Sequence, residues 1–363
     1  ITFSTLLRER LGHHIHGERW ANTIKHTLHK HNLLHRPIHI ISANMHSVVN
    51  SFYAQKALSS AMPGKSPLEI YEALSSEKNL SLRKKVIDLA RQNGMIYIAD
   101  DSGTSIDVQI FDMAKLHKDA CCYEVPAGIP DEQKPVIFVM DYAFGEQAYE
   151  TIDELLKPFK VNGRGKSLFL DVASISIMRK AGIREGGKGD LMIPSAHIFE
   201  GTADNYPFKN ELCAEDFKDY GLKVLEGTMV TVLGTSLQNK DILTFFNQST
   251  WGVIGLEMEG VHYQKAIQSA SRIRKSIRED VLRLGQPAGN GEHPGIGGAG
   301  HPGGEAHLSD HRQDTQTNIQ HLTMADQSSK NTANPSEEID LGQLFKLIGH
   351  AFSRLFRGFL RVF

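Results

Sequence analysis

Short apolar, partly β-branched runs alternate with segments of helical period through most of the chain, which predicts an α/β fold with a central sheet between helices. Residues 1–36 read as helix. Residues 37–41 then predict a strand, 48–58 a helix, 82–93 a helix stopped by Gly94, and 95–99 a strand. Residues 108–117 read as helix. The plainest βαβ unit comes next: strand 135–140, helix 145–159 and strand 167–170, with the two strands parallel. After 172–180 come a turn-rich loop over 181–190, a strand over 191–194, and a further strand that ends at Phe199. Residues 227–233 are again β, 241–246 helical, and 251–256 form an apolar strand. That strand runs directly into Glu257-Met258-Glu259-Gly260, with a helical pattern through Tyr263 and Ile267 beyond. Two carboxylates at the end of a core strand sit where an open α/β sheet receives its ligands.

After Arg283 the pattern changes. Residues 285–304 carry Gly, Pro, His, Asn and Glu with almost nothing to bury, which predicts disorder rather than another core strand. Residues 327–338 are polar. Beyond them Leu341, Leu344, Phe345, Ile348, Phe352, Leu355 and Phe359 share one helical face, with Lys346, Arg354, Arg357 and Arg361 as the basic content. Residues 339–363 therefore suit a helix lying on a membrane surface; docking onto the α/β core is the other reading. This stretch resembles the cytoplasmic start of a bacterial inner-membrane protein of the polysaccharide chain-length regulator type. The chain divides into an N-terminal helical segment (1–36), an α/β domain (37–283), a disordered segment (284–323), and a polar linker with an amphipathic helix (324–363).

Composition narrows the classes. With 363 residues, 40% of them apolar, the chain can bury a sizeable core. A net charge of -2 speaks against a dedicated nucleic-acid binder, which carries a basic excess. Cys121, Cys122 and Cys213 have neither a disulfide framework nor metal-ligand spacing, so a reducing cytoplasm is the default. The chain opens on Ile1, and further residues are expected before it. His13, His14, His16, His26, His29, His31 and His35 include pairs at i, i+4, but no carboxylate or cysteine cluster joins them, and no metal is expected. Asp100 and Asp101 read as an acidic strand-end turn. Ser42-Ala43-Asn44-Met45-His46-Ser47 has two readings: an anion held by N–H groups near Ser42, Asn44 and His46, or a helix N-cap.

Five pieces follow one another in order. They are Lys180-Ala181-Gly182; Gly189-Asp190 leading into Leu191-Met192-Ile193-Pro194; Glu200-Gly201-Thr202 with Asp204-Asn205-Tyr206; Gly227-Thr228-Met229-Val230-Thr231; and Leu256-Glu257-Met258-Glu259-Gly260. Their order and spacing over about residues 135–267 resemble the nucleoside phosphorylase and nucleosidase superfamily, and within it the bacterial AMP nucleosidase-like proteins. The resemblance implies a twisted mixed sheet flanked by helices, no metal or organic cofactor, and a homo-oligomer. It implies cleavage of the N-ribosidic bond of a purine nucleoside or nucleotide by phosphate or water. Such cleavage builds positive charge on the ribose and negative charge on the base, so a site needs a carboxylate on the ribose hydroxyls and a donor to the base. By the resemblance Glu259 holds the ribose diol and Met258 packs on the sugar, with Glu257 beside them. Thr202, Asp204 and Tyr206 are candidates to line the pocket.

The departures are as informative. The family's glycine-rich phosphate loop falls at Ala143-Phe144-Gly145, where Gly145 is the only glycine, so hydrolysis is at least as open as phosphorolysis. Arg179 stands where the family has Gly, at a position read as a turn. The family's final strand, whose Ser-Asp element supplies the general acid toward the base, is missing after Arg283. Written with permitted codons and read from the second base, residues 284–294 become Ser-Asp-Asn-Pro-Leu-Glu-Thr-Gly-Ser-Thr-Leu, which suggests a frameshift near 281–284. The sequence thus predicts slow or absent turnover. A non-catalytic nucleotide-binding or regulatory protein of the same fold, and a membrane-associated scaffold, stay open beside the enzyme.

Overall fold

The computed structural model describes residues 14–116, 121, 128–161, 165–187, 189–202, 204–221, 223–234, 244–246, 248–277 and 318–325. In chain order these form α1 (Ile15–Lys30), β1 (Ile38–Ser42), α2 (Met45–Ala57), α3 (Pro67–Ser75), α4 (Leu80–Gln92), β2 (Met95–Ile98), β3 (Val108–Asp112), β4 (Val136–Met140) and α5 (Glu146–Leu155). They continue as β5 (Val172–Ile183), β6 (Leu191–Phe199), β7 (Asn205–Pro207), β8 (Val224–Thr231), β9 (Val253–Glu257), α6 (Gly260–Gln268) and β10 (Asn318–Ala325).

Alternation along the central strands sets the layers. In β1 and β4, Ile38, Ile40, Val136, Phe138 and Met140 face one side and pack with Trp20, Ile24 and Leu28 of α1, Ile152 of α5 and Ile267 of α6. The residues between them, Ile41, Ile137 and Val139, face the other side and pack with Val48 and Phe52 of α2, Ile70 of α3 and Val86 of α4. Both faces are covered, so these strands read as continuous apolar runs in sequence.

The strands make one mixed sheet in the order β10-β6-β8-β9-β5-β1-β4-β3-β2, with β7 on β6. β1 is parallel to both β4 and β5, so their C-terminal ends share one edge. β5 is long enough to serve two neighbours. Its first half pairs with β1, and its end meets β9 in antiparallel register, Gly182 opposite Leu256. β9 continues to β8 and β8 to β6, while β10 bridges from β6 back to β5, closing these five strands into a ring. Gly255 lies at the crossing: a Cβ there would meet the Gly182 carbonyl oxygen at 2.6 Å and Met192 Sδ at 2.5 Å.

Several expectations are corrected. The helix read over 108–117 is not formed over its described residues, 108–116; 108–112 are strand β3, buried throughout and held antiparallel between β2 and β4. The second strand of the βαβ unit is β5, parallel to β4 as expected but with β1 between them, and Leu168 makes only an isolated bridge to Phe159. Arg179 lies inside β5, not in a turn, and the loop read over 181–190 begins only after Ile183. The helix of the first segment is Ile15–Lys30. Asn318–Ala325, read as tail, is a strand of the sheet. Of the segment read as disordered over 284–323, residues 284–317 lie outside the described residues, as does the amphipathic helix expected over 339–363. Among the described residues, no helix is long and apolar enough to cross a membrane.

Candidate functional site

Residues converge on the edge where β1, β4 and β5 end. The antiparallel register of β5 with β9, continued beyond Gly182 and Leu256, brings residue 179 opposite residue 259. Arg179 and Glu259 meet there: Arg179 Nη1 lies 3.2 Å from Glu259 Oε2, and both side chains are 6% exposed. The other carboxylate oxygen accepts the Gly145 N–H at 3.3 Å. Gly145 precedes α5 with φ 53° and ψ -130°, a backbone region that only glycine adopts readily, so the one glycine of that loop turns its N–H onto Glu259. The helix N-terminus adds its positive end to the arginine's charge.

The guanidinium is itself held. Arg179 Nη2 donates to the Ala143 carbonyl at 2.7 Å and to Tyr263 Oη at 2.8 Å. Its carbon lies 5.3 Å from the Tyr142 ring centroid and 5.2 Å from that of Tyr263. Ser42 Oγ and Tyr263 Oη are 2.7 Å apart. An arginine cannot accept, so the Tyr263 hydroxyl accepts from Arg179, and either hydroxyl can donate in its contact with Ser42. Burial works against the Arg179 charge, but Tyr263 and Glu259 more than offset this and hold its pKa above the usual range. Burial pushes Glu259 up; Arg179 draws it down and Glu257 pushes it up again, leaving it above the ordinary carboxylate value.

Glu257 has a different environment. Its carboxylate accepts from the Thr231 hydroxyl at the end of β8 and from the backbone N–H groups of Glu259 and Gly260 where α6 begins. His197 Nδ1 of β6 lies 3.3 Å from Glu257 Oε1, and the imidazole is stacked on Phe208 with centroids 5.6 Å apart. Thr231 Oγ1 also accepts the Val261 N–H at 3.0 Å. Burial alone would raise the Glu257 pKa, but His197, Thr231 and the Gly260 N–H outweigh it and hold the group at about 2. Gly260 is required here, because any Cβ would overlap the buried His197 ring.

The remaining sequence candidates separate into groups. Met258 is half-buried against the cluster of Ile198, Val230 and Phe246. Thr202 and Asp204 are exposed and bond to each other at 2.7 Å. Tyr206 is half-buried, its ring 5.7 Å from Lys265 Nζ, which also lies 4.6 Å from the Phe199 ring. No hydrogen bond or ion pair joins these three to Glu259 among the described residues. Ser42 is buried in the Tyr263 network, Asn44 caps α2 by accepting the Ser47 N–H at 3.0 Å, and His46 is exposed. The helix N-cap reading of that loop describes Asn44. No group of His, Cys, Asp or Glu side chains able to hold a metal ion occurs among the described residues.

Sequence reasoning missed His197, Thr231 and Tyr263 and misplaced Arg179. Arg179 had a signal, the first of two cations, Arg179 and Lys180, that directly follow Ile177 and Met178 in a largely apolar strand. His197 had none, since a histidine between Ala196 and Ile198 looks like any core position.

The fold and site define a mixed-sheet α/β protein with a buried Arg–Glu pair at a strand-end edge. The chain belongs to a family of unknown function, DUF6909, whose model matches residues 69–288. That match runs through 281–284, and nothing in the comparisons supports a frameshift there. No curated protein matches the sequence. Among solved structures, the 5′-methylthioadenosine/S-adenosyl homocysteine nucleosidase of Campylobacter jejuni is similar at 8% identity and a TM-score of 0.45, covering 88% of this chain and 99% of its own. The futalosine hydrolase of Helicobacter pylori strain 26695 shows 9% identity and a TM-score of 0.42, with coverage of 90% and 99%. The AMP nucleosidase of Bacteroides thetaiotaomicron shows 10% and 0.40, with coverage of 93% and 97%.

Proposed function

We propose that the chain binds a purine nucleoside or nucleotide by its ribose and cleaves the N-ribosidic bond, with Glu259 holding the two vicinal hydroxyls. The observation that carries this reading is the Glu259 carboxylate, only 4% exposed just past a strand end and held by the Gly145 and Met258 N–H groups and by Arg179. A carboxylate has about four acceptor sites, and what Gly145, Met258 and Arg179 leave unfilled is open to a diol. A fixed negative charge beside the sugar also stabilises the oxocarbenium character that develops as the base departs. Glu257 accepts three hydrogen bonds and has His197 3.3 Å from Oε1, so protein groups fill its acceptor sites, which supports a structural role for it. The N–H of Gly145 points at Glu259 and so is not offered to a phosphate, which favours water as the nucleophile.

The test is release of adenine from AMP and from adenosine, with and without phosphate. Base release is expected to be independent of phosphate, to yield free ribose or ribose 5-phosphate, and to fall about 100-fold, or about 2.7 kcal/mol, in Glu259→Gln. A second reading, a non-catalytic nucleotide sensor, is favoured by the lack, among the described residues, of a strand that ends in a Ser-Asp pair. It predicts that the chain binds adenosine without releasing base and that Glu259→Gln changes affinity alone. Absence of both binding and base release would refute both readings.

A further inference from the structure

We infer that Arg179 is a positioning residue that locks the Glu259 carboxylate in one orientation and leaves its outer acceptor sites for a vicinal diol; this rests on the ribosyl reading above. A buried ion pair is a poor stabilising device, because desolvating both charges costs several kcal/mol and apolar residues of similar size often do as well. A buried strand position that follows the buried run 174–178 is where an apolar residue would be cheapest. The chain carries an arginine there, and its Nε finds no partner among the described residues, a further cost. Something other than stability accounts for it.

The geometry supplies the alternative. Two donors of the guanidinium are fixed on Ala143 O and Tyr263 Oη, and its face is bordered by Tyr142 and Tyr263, so Nη1 can reach only one place. That place is Glu259 Oε2, while Gly145 takes Oε1. Bonds to both oxygens prevent rotation of the carboxylate about its last torsion. The contacts come from β5 and from the start of α5, so the orientation is set by two rigid elements. Tyr263, anchored on Ser42 of β1, braces the arginine from behind.

The groups that face Glu259 are Arg179 on β5, Glu257 on β9 and the Gly145 N–H at the start of α5, with Tyr142 and Tyr263 bordering the arginine. Of these only Arg179 is a cation, so without it burial and Glu257 are opposed only by the Gly145 and Met258 N–H groups, and the carboxyl takes up a proton at higher pH. Each unit of that rise costs about tenfold in the ionised fraction at a pH below it.

The experiment compares the full chain with Arg179→Met, Arg179→Lys and Tyr263→Phe, each first checked for a native circular-dichroism spectrum. One arm follows the Glu259 carboxylate band by infrared titration of 13C-glutamate-labelled protein, with Glu259→Gln subtracted. The other measures adenosine affinity from pH 5 to pH 9. Arg179→Met is expected to titrate at higher pH and to bind adenosine at least tenfold more weakly near neutrality, with recovery as pH rises. Arg179→Lys should restore affinity to within about threefold, and Tyr263→Phe should move both readouts the same way by less. If Arg179→Met does not fold, Tyr263→Phe carries the test, since it keeps the ring and removes only the brace. An unmoved titration and unmoved affinity in the folded variants overturn the inference. A shifted titration with no adenosine binding by the unaltered chain sinks the ribosyl reading while the Arg179 clamp on Glu259 stands.

Discussion

Glu257 and Glu259 are two positions apart and their environments push them in opposite directions. Glu257 is held at about 2 because the network around it favours its charge, whereas burial leaves Glu259 above the ordinary carboxylate value. The sign for stability follows for Glu257. Its folded pKa lies below the ordinary glutamate value of 4.5, so its contribution is present above that value and is lost as pH falls from 4.5 toward 2. That contribution is about 3 kcal/mol in size. Urea midpoints of the unaltered chain and Glu257→Gln should therefore differ most near neutrality and converge in acid; parallel curves would show that the network gives Glu257 no special affinity for charge. At this scale the sequence was half legible. The paired acids announce themselves at the end of an apolar strand, but nothing in their order says that one is consumed by His197 and Thr231, because those partners come from strands 60 and 26 residues earlier.

At the scale of elements, helices and parallel strands could be read because their periods are plain, as in α4 with Val86 and Ala90 on its buried side. β3 could not. Val108, Gln109, Ile110, Phe111 and Asp112 are all buried, so no alternation marks a strand, and Phe111 with the apolar residues after it mimics a helical face. What fixes β3 is tertiary. Its last residue, Asp112, accepts from Arg36 Nη1 at 2.7 Å, and the same guanidinium donates to Lys134 O at 2.6 Å and Pro135 O at 3.2 Å just before β4. The pair ties the segment after α1 to both strands. Arg36→Met leaves a buried carboxylate without its cation and is expected to cost about 3 kcal/mol of stability in guanidinium chloride unfolding. A change under about 1 kcal/mol would show that Lys115, 3.6 Å from Asp112, is partner enough.

At the scale of the whole molecule, the ring of β5, β9, β8, β6 and β10 positions the site. It crosses β9 over β5 at Gly255 and Gly182, and that crossing puts Arg179 beside Glu259. β10 is the member that sequence pattern missed, since it follows a long polar stretch and its place is set by the free edges of β5 and β6. A chain ending at residue 317 loses that strand and leaves both edges open. It is expected to unfold at least about 5 °C lower, on the scale of 1–2 kcal/mol for a chain of this size; an unchanged transition would mean that β10 does not hold the ring closed. The central claim is that Glu259 grips a vicinal diol, and affinity for adenosine against 2′,3′-dideoxyadenosine tests it most directly. The account predicts that the full chain binds adenosine at least tenfold more tightly, a difference of about 1.4 kcal/mol or more, and that Glu259→Gln abolishes the difference. Equal affinity of the unaltered chain for the two compounds would contradict it.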